Sequence, residues 1–209
     1  GKAVRCLGGG RRGIAGSMVK DGFFQEYLGM RNGYVESIEI ERRITLGIYD
    51  QDEYKTAREW VRERCVQGAD HNATANRLTA DEYQSQWDYV TKMALIGRDL
   101  MLGNPKLADL GFGEEAAGHN AILAGFQGQR QWTDFLPNGD FFETIANTNF
   151  DWTGARRPHL VATENDSLNG VSMLLGNLLT NPPQIFSDVR TFWSPPPATG
   201  VPGPPLEGA

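Results

Sequence analysis

Cysteine is scarce in this 209-residue sequence, and long apolar runs are missing from it. The two cysteines, Cys6 and Cys65, are too few to build a disulfide framework, and isolated thiols are typical of a reducing compartment. No apolar run approaches the roughly 20 residues that a helix needs to cross a bilayer. We therefore expect a soluble protein of the cytoplasm.

Basic residues are also few relative to acidic ones. The sequence holds 20 Lys and Arg against 26 Asp and Glu, for a net charge of −6, and it contains no long basic run. Proteins that bind nucleic acid or an anionic membrane depend on clustered positive charge. The charge pattern therefore argues against either as the main partner.

Two familiar catalytic patterns do not occur. The three histidines, His71, His119 and His159, show no H-x-x-x-H spacing, so the usual histidine pair of a zinc site is missing. There is no G-x-S-x-G elbow either, so serine-hydrolase chemistry is unsupported. The sequence opens without Met on a strand-like run and closes on a proline-rich tail, and we expect a piece of a longer polypeptide.

The order of the predicted elements indicates an α/β fold. A strand at 3–7, a glycine turn at 8–13, a helix at about 14–28 and a strand at 34–40 make a βαβ unit, which implies a parallel pair. Further elements are helices at 39–47, 51–67, 81–102, 106–113, 114–125 and 141–147, a strand and helix at 160–178, and a strand at 184–188. We expect an open, mainly parallel sheet with helices on both faces.

The unit at 160–178 is the centre of the functional argument, because open α/β proteins bind ligands where their strands end. Glu164 follows the first of two short apolar strands, and Asp188 ends the second. Two carboxylates at neighbouring strand ends suit Mg²⁺ or Mn²⁺ and can move protons, and a third ligand is expected. The alternative is that each acid is solvated or caps a helix, as we predict for Asp166.

The glycine turn carries a second hypothesis. Gly8, Gly10 and Gly13 satisfy G-x-G-x-x-G between a strand and a helix, and Glu36 lies near the end of the next strand. This is the fingerprint of dinucleotide binding, with an acid placed to meet a ribose. Two arginines inside the turn weigh against it, and such turns also bind sugars or phosphates or merely pack.

Residues 127–132 form a dense polar cluster with one indole, Trp132. Polar groups beside an aromatic ring hold sugars through hydroxyl hydrogen bonds and ring contact. A solvated helix end accounts for the same spacing equally well.

Several unusual blocks, taken in order, resemble L-fucose isomerases. They are AGFQGQRQWTD at 124–134, PNGD at 137–140, FDW at 150–152, VATENDSLNG at 161–170 and DVRTFWSP at 188–195. The likeness covers essentially the whole chain, and it is specific because several long blocks match in order.

The resemblance implies an aldose–ketose isomerase, an intramolecular oxidoreductase. It would interconvert L-fucose and L-fuculose, and D-arabinose and D-ribulose, through an ene-diol with the help of Mn²⁺. The family's metal-binding glutamate and aspartate, which are also its acid/base groups, fall on Glu164 and Asp188. A glutamine that contacts the substrate falls on Gln127. The third metal ligand of the family is a histidine far downstream, and this chain does not include it.

The resemblance also implies a domain division and an assembly. Residues 1–179 would form the Rossmann-like central domain of a multidomain sugar isomerase, and residues 180–209 the first segment of a truncated C-terminal domain with a proline-rich tail. The family forms homohexamers, and this chain would supply an incomplete site. The alternatives are a nicotinamide-dependent oxidoreductase that uses the Gly8–Gly13 turn, and a non-catalytic assembly fragment.

Overall fold

The central sheet is parallel throughout. A computed structural model describes residues 1–8, 19–20, 22–127 and 132–186. In this part of the chain the sheet consists of β1 (Ala3–Leu7), β2 (Arg31–Val35), β3 (Ala121–Phe126) and β6 (Leu160–Thr163), in the order β2-β1-β3-β6. A separate antiparallel ribbon pairs β4 (Phe150–Asp151) with β5 (Gly154–Ala155). The prediction of an α/β fold with a mainly parallel sheet is confirmed.

Helices cover both faces of this sheet. They are α1 (Phe23–Leu28), α2 (Ile38–Leu46), α3 (Gln51–Arg64), α4 (Ala80–Leu102), α5 (Pro105–Asp109), α6 (Gly113–Ala116), α7 (Asp140–Ala146) and α8 (Ser167–Thr180). On one face, Phe24 of α1 and Leu174 of α8 pack against strand residues such as Val4. On the other face, α2, α4 and α7 build a larger core with Leu7 and Val161.

The alternation of side chains along the strands explains the two cores. Successive residues of a strand point to opposite faces, so Leu160 enters the core of α1 and α8, and Val161 enters the core of α2, α4 and α7. Strands buried on both faces are nearly continuous apolar runs, as in β3 and β6.

The prediction of a helix over 114–125 is wrong. α6 ends at Ala116, and β3 begins at Ala121 in the middle of the sheet, between β1 and β6. Periodicity cannot separate a short apolar strand from a buried helix segment, so the pairing partners decide. A side chain at Gly118 would lie 1.9 Å from the backbone nitrogen of Gly103, so the chain passes the end of α4 at a distance that excludes a Cβ.

Two further strand predictions need correction. The strand placed at 34–40 is β2, Arg31–Val35, and Ile38 already begins α2, which turns the buried Ile40 into the core. Residues 184–186 lie outside any helix or strand, and the rest of the strand predicted at 184–188 lies outside the described residues. The helix predicted at 51–67 is α3, which has Asp50 as its N-cap and ends three residues earlier than predicted, at Arg64.

Among the helices described, none combines the length and the apolar character needed to span a bilayer.

Candidate functional site

The carboxyl ends of the strands meet at one edge of the sheet. Gly8, Glu36, Gln127 and Glu164 each directly follow a strand at this edge. The strand order reverses between β1 and β3, and such a switch point is where open α/β sheets bind ligands. The prediction that Glu164 follows a strand is confirmed, and Gln127 also follows a strand rather than a helix.

Gln127 and Glu164 lie at the ends of neighbouring strands. Phe126 and Thr163, the residues before them, are direct partners in the parallel register of β3 and β6. The backbone N–H of Gln127 also donates to the carbonyl of Leu7 at 2.8 Å, which ties the end of β3 to β1. The structure therefore brings together two of the three residues predicted for the site.

Glu164 lies in a tight turn between β6 and α8. Glu164 and Asn165 have φ angles of 56° and 57°, and the N–H of Asp166 donates to the carbonyl of Thr163 at 3.0 Å. Two central residues with positive φ define a type I′ turn, which favours Gly, Asn and Asp. A glutamate in this conformation is strained by roughly 1–2 kcal/mol. Such strain is concentrated at functional sites.

The turn leads directly into α8. The Asp166 side chain accepts a hydrogen bond of 3.0 Å from the N–H of Asn169, so Asp166 is the N-cap. The prediction that this acid caps the helix is confirmed. Asp166 therefore has a structural role, and Glu164 is the other acid of this turn.

Asn165 joins the Glu164 turn to the end of β3. In one of its two orientations the side-chain amide has a partner for both its nitrogen and its oxygen. The nitrogen then donates to the carbonyl of Gly125 at 2.6 Å, and the oxygen accepts from the N–H of Gln127 at 3.3 Å. A Cβ at Gly125 would lie 2.7 Å from the Asn165 Cα, so the close approach depends on glycine there. The Asn165 side chain is thus a bridge between the two site residues.

Sequence reasoning missed Glu143, a buried carboxylate beside this turn. It lies on α7 with 7% of its surface exposed, and its Oε2 accepts a hydrogen bond of 2.6 Å from the Thr163 hydroxyl. Burial raises the pKa of Glu143 to about 7, and the nearby Asp140 and Glu164 carboxylates add to the rise. The one sign of this burial in the sequence is an acid among the apolar residues of a short helix. A glutamate in the first turn of a helix is ordinarily interpreted as exposed, so this sign does not by itself predict a buried carboxylate.

The position of α7 against β6 is set by hydrogen bonds at their edge. The Asn147 side chain accepts from the N–H of Val161 at 3.0 Å and donates to its carbonyl at 2.8 Å, as a neighbouring strand would. The N–H of His159 donates to the carbonyl of Ala146 at 2.8 Å, so His159 lies at the amino end of β6, as predicted. Glu143 is consequently held at a defined place relative to Thr163.

A cleft of about 680 Å³ opens beside these groups. It lies between α7, the end of β6 and the segment after α8, with a mixed polar and aromatic lining that includes Asp140, Glu143, Asn147, Thr163, Gln184 and Phe186. Residues 183–186 lead along the chain toward Asp188, which lies outside the described residues, as do Gly10 and Gly13.

The oxygen donors at this edge match the preference of a hard divalent cation, since carboxylate and amide oxygens are the ligands that Mg²⁺ and Mn²⁺ take in proteins. Within the described ranges, no group of three or more His, Cys, Asp and Glu side chains is close enough to hold a metal ion. The pairing of Glu164 with Asp188 stays a prediction.

Trp132 is not part of an open sugar-binding surface. Its indole is buried in the larger core, where it packs edge-on against Phe126 at 5.3 Å between ring centroids and donates to the carbonyl of Pro137 at 2.6 Å. Of the polar cluster at 127–132, Gln127 is described at the sheet edge, and residues 128–131 lie outside the described residues.

Comparison with known proteins decides the family. The family model described as L-fucose isomerase, second N-terminal domain, matches residues 2–181. The chain belongs to the L-fucose isomerase family. The resemblance seen in the motifs is thereby confirmed.

Relatives in this family are closely similar over the whole chain. L-fucose isomerases of Streptococcus pneumoniae strain Hungary19A-6 and of serotype 4 strain TIGR4 are each 59% identical over 206 residues. That of strain 70585 is 58% identical. Each alignment covers 99% of this chain and 35% of the relative, so the chain spans about a third of the length of the L-fucose isomerases that it matches.

Proposed function

We propose that this chain supplies part of the active site of an aldose–ketose isomerase acting on L-fucose and L-fuculose, and on D-arabinose and D-ribulose. The observation that carries the proposal is the placement of Gln127 and Glu164 after register-paired residues of β3 and β6. Both lie beside the switch point of the sheet, in a chain 59% identical to L-fucose isomerases.

The proposed reaction moves a proton between two sugar carbons. Glu164 and Asp188 are the acid/base pair: one carboxylate removes the proton from C2 of the aldose, and the electron pair forms the C1–C2 double bond of an ene-diol. As this double bond forms, the π electrons of the C1 carbonyl move onto O1, which the other carboxyl protonates. That carboxylate then takes the proton from O2, the C2 carbonyl forms, and return of a proton to C1 gives the ketose. Gln127 orients the sugar through hydrogen bonds from its side-chain amide.

The same two carboxylates would hold Mn²⁺, together with a third ligand. The bound ion would supply positive charge that stabilises the oxygen atoms of the ene-diol. α8 also begins at this edge, and the positive end of its dipole would favour the negative charge of the carboxylates and of the ene-diol oxygens.

The domain division and the surroundings of the chain are part of the proposal. We place the end of the central domain near 179, since α8 ends at Thr180 and the family model ends at 181. The rest of the site would come from other parts of a longer polypeptide and from neighbouring subunits of a homohexamer in the cytoplasm.

The proposal is tested by ketose formation from L-fucose, with Mn²⁺ and then with a chelator. The chain is assayed alone, and also in a chimera that replaces the 206 matching residues of the pneumococcal relative. Chelator-sensitive turnover in the chimera, lost in Glu164→Gln and in Asp188→Asn, is the expected result. An inactive chimera that folds and assembles like the pneumococcal parent would overturn the proposal.

Two alternatives have distinct readouts. Glu36 is exposed at the carboxyl end of β2, where a dinucleotide-binding fold carries its ribose-binding acid. A change in tryptophan fluorescence with NADH but not with Mn²⁺ would favour an oxidoreductase. A stable oligomer that responds to neither would favour an assembly fragment.

A further inference from the structure

Asn165 differs from the other asparagines that adopt the left-handed conformation in the described chain. Asn120 and Asn181 have φ angles of 52° and 66°, are exposed, and lie before β3 and after α8. Asn165 has 2% of its surface exposed and lies at the carboxyl edge, between the two site residues. Its conformation is common for asparagine, but its burial is not.

A buried amide must have its donors and acceptors satisfied, or it destabilises the fold. Asn165 meets this need with groups of the site itself: the carbonyl of Gly125, at 2.6 Å, and the N–H of Gln127, at 3.3 Å. The same N–H of Gln127 also donates to Leu7. One side chain therefore connects the end of β3 to the turn that carries Glu164.

The packing leaves this side chain little freedom. The absence of a Cβ at Gly125 lets the Asn165 backbone lie against β3, and a methyl group there would come within 2.4 Å of the Asn165 side-chain amide. On the other side, the Asp166 N–H closes the turn onto Thr163. The direction in which Glu164 leaves the turn is thus set by its neighbour.

We propose that Asn165 is a positioning residue, which fixes the Glu164 carboxylate relative to Gln127. The inference rests on the proposed function, since it assigns Asn165 a role in the same site. Asn165 acts through the backbone of both residues, and the proposal gives it no contact with the sugar.

The test separates the amide from the conformation. Asn165→Gly removes the amide and keeps the positive φ without strain. Asn165→Asp keeps the size and the tolerance for the left-handed region but replaces the N–H donor with an oxygen facing the Gly125 carbonyl. Asn181→Gly is the matched control, a left-handed asparagine at the far end of α8.

Two measurements are made on each variant. Hydrogen exchange of the 209-residue chain reports on the N–H groups of Asp166 and Gln127, and steady-state kinetics of the chimera reports kcat and KM for L-fucose. We expect faster exchange at both N–H groups in the two Asn165 variants, with unchanged exchange at Val161. We also expect a fall in kcat of about 10- to 100-fold with a much smaller change in KM.

Asn181→Gly should change neither measurement. The positioning role is overturned if Asn165→Gly exchanges like the native chain, or if it loosens the turn and keeps its kcat. If the chimera itself shows no turnover, the proposed function fails separately. The exchange data then still decide whether Asn165 holds the turn.

Discussion

The hydroxyl of Thr163, the residue just before Glu164, donates a hydrogen bond of 2.6 Å to the carboxylate of Glu143. This contact holds a buried carboxylate beside the acid that is proposed to act on the sugar. Removing a carboxylate from water disfavours its charged form, and neighbouring acids add to this effect. Folding of the chain and ionisation of Glu143 are therefore coupled.

Glu143→Gln should remove a loss of stability that the native chain undergoes as pH rises from about 4.5 to 7. The pKa of Glu143 is about 7 in the folded chain and ordinarily 4.5. Between these values the folded chain keeps a proton that the unfolded chain releases, so the free energy of unfolding falls as pH rises. The variant should match the native chain below about pH 4.5 and be more stable by about 3 kcal/mol near pH 8. Urea unfolding followed by tryptophan fluorescence measures the difference.

His159 provides a control of opposite sign. Burial and the nearby Arg156 lower the pKa of His159 from 6.5 to about 4. The unfolded chain binds a proton in this window that the folded chain excludes, so stability rises with pH from about 4 to 6.5. His159→Gln should remove this rise in stability and leave in place the decline between about pH 4.5 and 7 that is due to Glu143. The assignment to Glu143 is contradicted if Glu143→Gln is no more stable than the native chain near pH 8, about one unit above the folded pKa.

Glu164→Gly should be more stable than Glu164→Ala and should abolish the proposed activity. Glycine adopts a φ of 56° without strain, whereas alanine retains the strain. We expect the glycine variant to be more stable than Glu164→Ala by about 1 kcal/mol in urea unfolding. Both variants lack the carboxylate, so both should lose turnover in the chimera. Equal stability of the two would show that the turn carries no strain at this position.

Asn147→Ala should weaken the edge of the sheet. The substitution leaves the N–H and the carbonyl of Val161 without the partners that Asn147 provides, next to a fully buried side chain. Loss of buried hydrogen-bond partners is expected to lower the free energy of unfolding by about 2–3 kcal/mol. The control is Asn149→Ala, at an exposed position of the same loop. A loss no larger than that of the control would contradict the pairing.

Gly125→Ala should displace the Glu164 turn. The added methyl group would meet the Asn165 backbone at 2.7 Å, and backbone cannot move aside as a flexible side chain can. We expect a loss of about 1–3 kcal/mol on unfolding, and faster exchange of the Asp166 N–H. Gly68→Ala is the control, since nothing lies within 4 Å of its Cβ. An unaltered exchange rate of the Asp166 N–H would contradict this prediction, because it would show that the added methyl group does not disturb the turn.

Most of the architecture can be predicted from sequence pattern. The runs that become β1 and β6, the caps of α3 and α8, and the long helix α4 each carry a local signal that the structure confirms. The family also follows from sequence, because its motifs are long and ordered. Local signals fail for β3, where an apolar run of six residues fits a helix as well as a strand.

The candidate site is divided in the same way. The sequence determines by itself that Glu164 follows a strand, that Asp166 caps the next helix, and that the chain belongs with L-fucose isomerases. Tertiary structure decides that Gln127 ends the neighbouring strand, that Asn165 bridges the two, and that Glu143 is buried against Thr163. These relationships depend on strand order, register and a glycine contact between segments far apart in the chain. The periodicity of a sequence describes one helix or strand at a time, so it cannot predict contacts between separate elements.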